Sequence, residues 1–574
     1  MHKKEKTLKI NANYSSYFDT STAIKNIYEI QTITANGHNI PFENGSPSIK
    51  GGKYLIPISS LAEYLDEKGQ ITLKLFHNEK IKGTIHLELT IDDEVPLMNR
   101  IKKTKDKLFT FAYQAISWDE NWDYKKVCSK KALRRYFDVG FDVIYDNRFH
   151  MKIEDKKIPQ ELIYELNNLE KFNKSLLLDD DLIHYLTRGE FQVESATFKP
   201  FFQYNKKLDI NGTTICFKNR NDLKVFLKNR LSIYINHPRI YGINVVDEPA
   251  HETIISGLKE IYLALKECTK ELGREDFYLF INLLPMSAWT GALAGNKETK
   301  DVVKDYKTYL SDYISNLGID YISYDLYPIK DESGPERQSP YAFENVMLAA
   351  NIAKKNKISL KVVTQTNTIS FPNQEIINKR IVGYDDLKFL TNTLLGFGVK
   401  DISFFTYHYL NYTSPNEIWQ KGDGFLINHN NKRTSLYYST KQIIKEMHAF
   451  YSYCSDFKYQ YSYLFSNDED ERYINASRHN INNIKDRLPF DISRKYPFLI
   501  TNLKYQNKDL FMIQNPHNDK SKNVVSEYEI IFKNGSKNVE IFESGQSRIL
   551  KTQNNKIKIC LSSGRAIYMV LENE

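Results

Sequence analysis

One rhythm governs residues 108 to 450: a short apolar run rich in β-branched and aromatic residues, a polar loop, then apolar residues at helical spacing. The runs fall at 108–116, 139–145, 175–178, 240–246, 277–284, 319–324, 360–364 and 402–407, with helical patterns at 131–137, 221–235, 304–317, 342–355, 384–396 and 435–450. Runs this apolar belong to strands buried on both faces. Strands separated by helices pair in parallel, because a helical crossover returns the chain to the same end of the sheet. Eight such units predict an α/β fold, the (β/α)8 barrel. A doubly wound open sheet is the competing arrangement, but no Gly-x-Gly-x-x-Gly turn follows an early strand.

The two ends read differently. Residues 1–95 alternate apolar and polar positions between Asn-Gly and Gly-Gly turns, as in Ile71-Thr-Leu-Lys-Leu-Phe76, which predicts an N-terminal antiparallel β-sandwich. The barrel is expected to occupy 96–455. Residues 456–574 are expected to hold a polar, Asn-rich connector at 467–494 and a second antiparallel sandwich, built from runs such as Lys556-Ile-Lys-Ile-Cys-Leu561.

Composition narrows the function classes. The net charge of +8 comes from 79 basic and 71 acidic residues without long one-sign blocks, which argues against a nucleic-acid surface. Cys128, Cys216, Cys268, Cys454 and Cys560 are scattered, without a Cys-x-x-Cys pair, and the 13 histidines form neither His-x-His nor His-Glu-x-x-His. No disulfide framework, metal site or cofactor is expected. No apolar run reaches about 18 residues, so no membrane span is expected. The basic start, Met1-His-Lys-Lys-Glu5, lacks an apolar stretch behind it; a cytoplasmic protein is expected, although a secreted mature form reads the same. The sequence leaves the oligomeric state open.

In a (β/α)8 barrel the strand C-termini and the loops after them form the active face. Ile240-Tyr-Gly-Ile-Asn-Val-Val-Asp-Glu-Pro249 is a strand-forming run that ends in two carboxylates and a proline unable to donate to a ladder. Asp247 and Glu248 are therefore expected on the rim. By the same rule the rim receives Trp118 after strand one, Asp146 and Arg148 after strand two, and Asp179 after strand three. Strand five supplies Asn282 and Trp289, strand six Asp325 and Tyr327, strand seven Gln365, and strand eight Tyr407 and His408. The four tryptophans, Trp118, Trp122, Trp289 and Trp419, all fall in loops after predicted strands. Indole faces stack on the C–H face of a sugar while acids and amides bond its hydroxyls, so a carbohydrate is the expected ligand. The competing reading is that these tryptophans plug loops against the core. Asp146, Arg148 and Asp179 either bind sugar hydroxyls or form rim salt bridges; Asp179, with Asp180 and Asp181, otherwise caps the next helix.

Three stretches resemble bacterial glycoside hydrolase barrels of clan A, the β-galactosidase and cellulase type. Val246-Asp-Glu-Pro249 resembles the Asn-Glu-Pro that closes strand four in that clan, and the resemblance implies Glu248 as general acid/base. Tyr321-Ile-Ser-Tyr-Asp-Leu-Tyr-Pro328 resembles the clan's sixth strand, and the segment from Gly422 to Tyr438 is similar to the loop before its last helix. Two positions depart: Asp247 stands where the clan has Asn, and Gln365 where it has the nucleophilic Glu. Glycoside hydrolysis needs two carboxyl groups, one protonated to donate and one ionised to attack or to activate water. Asp325 is the candidate for the second, as nucleophile or base, and Asp247 is expected to hold Glu248 protonated by like-charge repulsion. The alternative, favoured by Gln365, is a non-catalytic carbohydrate-binding protein on a decayed hydrolase barrel.

Overall fold

The computed structural model describes residues 5–12, 17–19, 32–36, 38–39, 55–57, 61, 70–77, 80–91, 109–113, 124–145, 151–192, 197–210, 213–288, 290–294, 301–329, 342–366, 369–370, 382–408, 418–419, 425–428, 431–467, 471–517, 525–535 and 538–572. Among them, eight strands form the central sheet: β1 (Phe109–Tyr113), β2 (Val143–Tyr145), β3 (Ser175–Asp179), β4 (Ile240–Asp247), β5 (Tyr278–Asn282), β6 (Tyr321–Leu326), β7 (Ser359–Gln365) and β8 (Asp401–Phe405). Their order is β5-β4-β3-β2-β1-β8-β7-β6, and the paired neighbours run parallel. The ends of this order meet at Leu283, which bridges to Tyr324 and donates to Ser323 O at 2.8 Å. Deeper in the seam Tyr321 stands in for the ladder, its hydroxyl accepting from Ile281 N at 2.9 Å and donating to Leu279 O at 2.8 Å. The sheet is a (β/α)8 barrel.

Strand alternation sorts the side chains into two cores. Outward residues such as Ile144, Leu178, Ile243, Ile322 and Phe404 join the helix stripes in one large cluster. The helices include α1 (Lys130–Asp138), α2 (Gln160–Glu170), α3 (Asp181–Thr187), α4 (Arg220–Ser232), α5 (Lys259–Glu271), α6 (Val302–Leu317), α7 (Ala342–Asn356), α8 (Tyr384–Gly396) and α9 (Ser435–Cys454). Phe111, Tyr113, Val143, Tyr145, Leu177, Phe280 and Val363 fill the barrel, flanked by Tyr241, Tyr278, Tyr327 and Phe405. Below them Lys361 pairs with Asp401 at 2.5 Å and lies over the rings of Tyr278 and Tyr321.

Both flanks of the barrel are β-rich. The N-terminal five-stranded sheet is mixed, since Glu5–Ala12 runs parallel to Lys80–Ile91 while the other pairs are antiparallel. At the other end, six-stranded and three-stranded antiparallel sheets share a core that includes Phe498, Phe511, Tyr528 and Ile559. This sandwich begins earlier than its alternating pattern suggested, because Lys458–Phe465 pairs with Phe498–Tyr505. Nor is the polar stretch at 467–494 a plain connector. Helix Glu471–Ser477 packs Tyr473 against Phe343 of α7, helix Ile484–Arg487 follows, and Phe490–Ile492 joins the three-stranded sheet. Among the described residues no helix is long and apolar enough to cross a membrane.

Candidate active site

The site is assembled at the C-terminal end of β4. Between β4 and β5 the register slips: Asn244 pairs with Phe280 and Val246 with Ile281, so Val245 is an extra residue. This bulge changes the strand's phase. Asn244 and Asp247 both align with inward positions, Phe280 and Asn282, whereas strict alternation would have turned Asp247 outward. The bulged Val245 carbonyl accepts from Thr187 Oγ1 of α3 at 2.8 Å. Glu248 then takes φ +50, a conformation uncommon for a residue with a side chain, while its N–H still donates to Asn282 O at 2.8 Å. Tyr309 of α6 fixes the turn by donating to Pro249 O at 2.7 Å. One strand end thus presents a partly buried Asp247 and an exposed Glu248.

Asp325, 6% exposed at the end of β6, completes the group. Asn282 Nδ2 donates to Asp325 Oδ1 at 2.7 Å and to Asp247 Oδ1 at 3.1 Å, and Ser323 Oγ holds the amide by donating to Asn282 Oδ1 at 3.1 Å. Glu248 and Tyr327 lie close enough to Asp325 for their charges to act on one another. Burial pushes Asp325 well above the ordinary carboxylate range, and the charges of Glu248 and Asp247 push it further. Asp247 is also raised, chiefly by burial; its hydrogen bond from Asn282 and the neighbouring Arg188 and His184 oppose the shift. Three carboxyl groups therefore share one rim, and burial with mutual repulsion favours the protonated form of Asp325.

A second polar cluster lies beside them. Asp179, on β3, accepts from the Tyr145 hydroxyl at 3.1 Å and pairs with His184 Nε2 at 3.1 Å. Asn244 Nδ2 lies 2.5 Å from Tyr145 Oη and 3.0 Å from His184 Nε2. Asp180, next in sequence, points outward: it caps α3, accepts from Arg230 Nε at 2.8 Å and accepts from Tyr234 at 3.0 Å. The capping role thus falls to Asp180 and leaves Asp179 on the inner face.

Of the residues expected from sequence, Asp247, Glu248, Asp325, Asn282, Tyr327 and Asp179 come together here. Gln365 also reaches the barrel end, but its amide is spent on a backbone clasp, accepting from Ile329 N at 2.9 Å and donating to Ile329 O at 3.0 Å. Tyr407 does not face the rim, because β8 ends at Phe405 and Tyr407 packs outward against Tyr136 and Phe141. This corrects its expected role as a sugar contact. His408 is buried edge-on against Tyr407. Trp118, Trp122, Asp146, Arg148 and Trp289 lie outside the described residues, and Trp419 is placed by its backbone alone, in a two-stranded ladder with Ile369–Ser370. Sequence reading missed Tyr113, Tyr145, His184, Arg188 and Asn244. For the two tyrosines a signal existed, since each is the last inward residue of its strand; His184 and Arg188 lie on and just after a helix that the apolar pattern did not separate from β3.

No family model and no curated sequence matches the chain. Among solved structures it is similar to a glycoside hydrolase family 5 protein from Bacteroides vulgatus ATCC 8482, at 8% identity and TM-score 0.43, covering 89% of this chain and 93% of the other. It is also similar to an α-amylase from Geobacillus thermoleovorans complexed with acarbose, at 12% identity and TM-score 0.42, covering 82% and 100%. A GH30 endoxylanase from Clostridium papyrosolvens C71 aligns at 8% identity and TM-score 0.35, covering 83% and 98%. At such identities the chemistry is read from the residues themselves.

Proposed function

We propose that the protein is a glycoside hydrolase acting on an oligo- or polysaccharide, with Glu248 and Asp325 as its two carboxyl groups. The observation that carries this reading is the neighbouring carboxyl groups of Glu248 and Asp325, the latter tied through Asn282 to Asp247 at the barrel's C-terminal rim. Two neighbouring carboxyl groups hold one proton between them, because both cannot ionise cheaply side by side. That is the protonation state hydrolysis needs. In the free protein burial favours the proton on Asp325; in the productive form it resides on the exposed Glu248, which donates to the glycosidic oxygen while Asp325 attacks or activates water. A sugar entering the rim parts the pair, to about 5–5.5 Å for a retaining reaction or about 6.5–9.5 Å for an inverting one.

The clan A likeness at Val246-Asp-Glu-Pro249 supports Glu248 as acid/base. The second reading, a carbohydrate-binding protein, is favoured by Gln365, whose amide is clasped to Ile329 where that clan carries an acid. Turnover separates the two. Glu248→Gln should keep the fold and sugar binding but lose roughly 10²–10⁴-fold in rate. Asp325→Ala should lose about as much, and the double variant little more, because the two groups act as a unit. Binding of glycans by the wild type without cleavage would leave the binding-protein reading in its place.

A further inference from the structure

Tyr113, the last residue of β1, faces into the barrel with its ring edge-on to Tyr145 (4.5 Å) and Phe405 (5.3 Å). The residue is 2% exposed, and its hydroxyl has no hydrogen-bond partner among the described residues. The neighbouring phenol of Tyr145 is committed, donating to Asp179 at 3.1 Å. A buried hydroxyl without a partner is costly, and Phe would fill the same space without that cost. Its surroundings are acidic. Burial and the charges of Asp247 and Asp325 push the phenol's pKa up, so it stays a neutral donor at any working pH.

Resting on the glycosidase reading, we propose that Tyr113 is a substrate contact whose O–H donates to a hydroxyl of a neutral sugar ring seated against Asp247 and Asp325. The two aspartates offer acceptors for hydrogens the sugar donates, and Tyr113 supplies a donor for a sugar oxygen. A uronic acid carboxylate at this place would meet charge of its own sign, which restricts the ring to uncharged sugars.

The test is Tyr113→Phe, assayed on a panel of neutral 4-nitrophenyl glycosides and the matching uronides. On the best neutral substrate kcat/KM should fall roughly 10–100-fold while Tm stays level or rises. Among monodeoxy versions of that substrate, one should be cleaved equally by wild type and variant. An unchanged kcat/KM in Tyr113→Phe, or uronides cleaved as well as neutral glycosides, would overturn this inference and leave the glycosidase reading standing. A wild type that cleaves no member of the panel and no natural glycan would overturn both.

Discussion

Asp325 concentrates the conflict between stability and chemistry. Its carboxyl is raised in the folded protein by burial first and by Glu248 and Asp247 next, so the folded state binds its proton more tightly than the unfolded chain does. The sign follows from linkage: stability from this group is fully present below the unfolded pKa of about 3.9 and is lost as pH rises through the raised folded value. Asp325→Asn should therefore raise Tm at pH 7 to 8 relative to the wild type and show no such gain near pH 4, while turnover disappears. Thermal melts across that range check it, and a Tm lowered equally at both ends would show that the carboxylate holds the fold. Asp247 tunes the same proton. Removing its charge in Asp247→Asn should lower the pKa of the proton that Glu248 and Asp325 share, so the basic limb of the pH–rate profile, which reports loss of that proton, should move to lower pH.

At the scale of elements, β4 owes its function to an irregularity. The bulge at Val245 turns Asp247 inward, and the positive φ of Glu248 ends the strand with that side chain exposed. Gly242, two residues into the strand, permits the close approach of β5, since a Cβ there would collide with the Tyr278 carbonyl. Gly242→Ala should force β4 and β5 apart, destabilise the protein by about 1–3 kcal/mol or more, and displace Asp247. A variant that melts with the wild type and keeps full activity would show that the pairing can relax at no cost. None of this is visible in the apolar pattern of 240–246. A bulge is chosen by how β4 meets both neighbours and by Thr187 accepting the task of bonding the freed carbonyl, contacts that span long sequence separations.

Across the whole molecule the barrel and the C-terminal sandwich meet through one continuous core, in which Phe450 of α9 packs on Phe542 and Tyr568, and Met512 rests on Gly396 of α8. Beneath it lies a buried ion pair, Lys388 of α8 with Glu446 of α9, joined by Tyr384 at 2.9 Å and Gln442 at 3.0 Å. Burial pushes Glu446 up, but Lys388 and the two other donors outweigh it and hold the carboxyl below its usual range. Lys388→Met would strand that charge and should cost about 3–5 kcal/mol. The double variant Lys388→Met with Glu446→Leu should recover most of it, which melting temperatures of the single and double variants would reveal.

The sequence by itself determined the barrel and most of its strand positions, because strands buried on both faces and helices with one buried stripe must write their burial into the chain as apolar period. It also determined that Asp247, Glu248 and Asp325 stand at strand ends, since Pro249 and the loss of apolar character mark where β4 and β6 leave the core. Only the tertiary structure decided which carboxyls are neighbours. The nearness of Glu248 to Asp325, the bridging amide of Asn282, the inward turn of Asp179 and the outward turn of Tyr407 depend on strand phase, and one bulge or one residue of strand length reverses it. Local composition carries no record of phase, because a side chain's direction is set by neighbours tens of residues away.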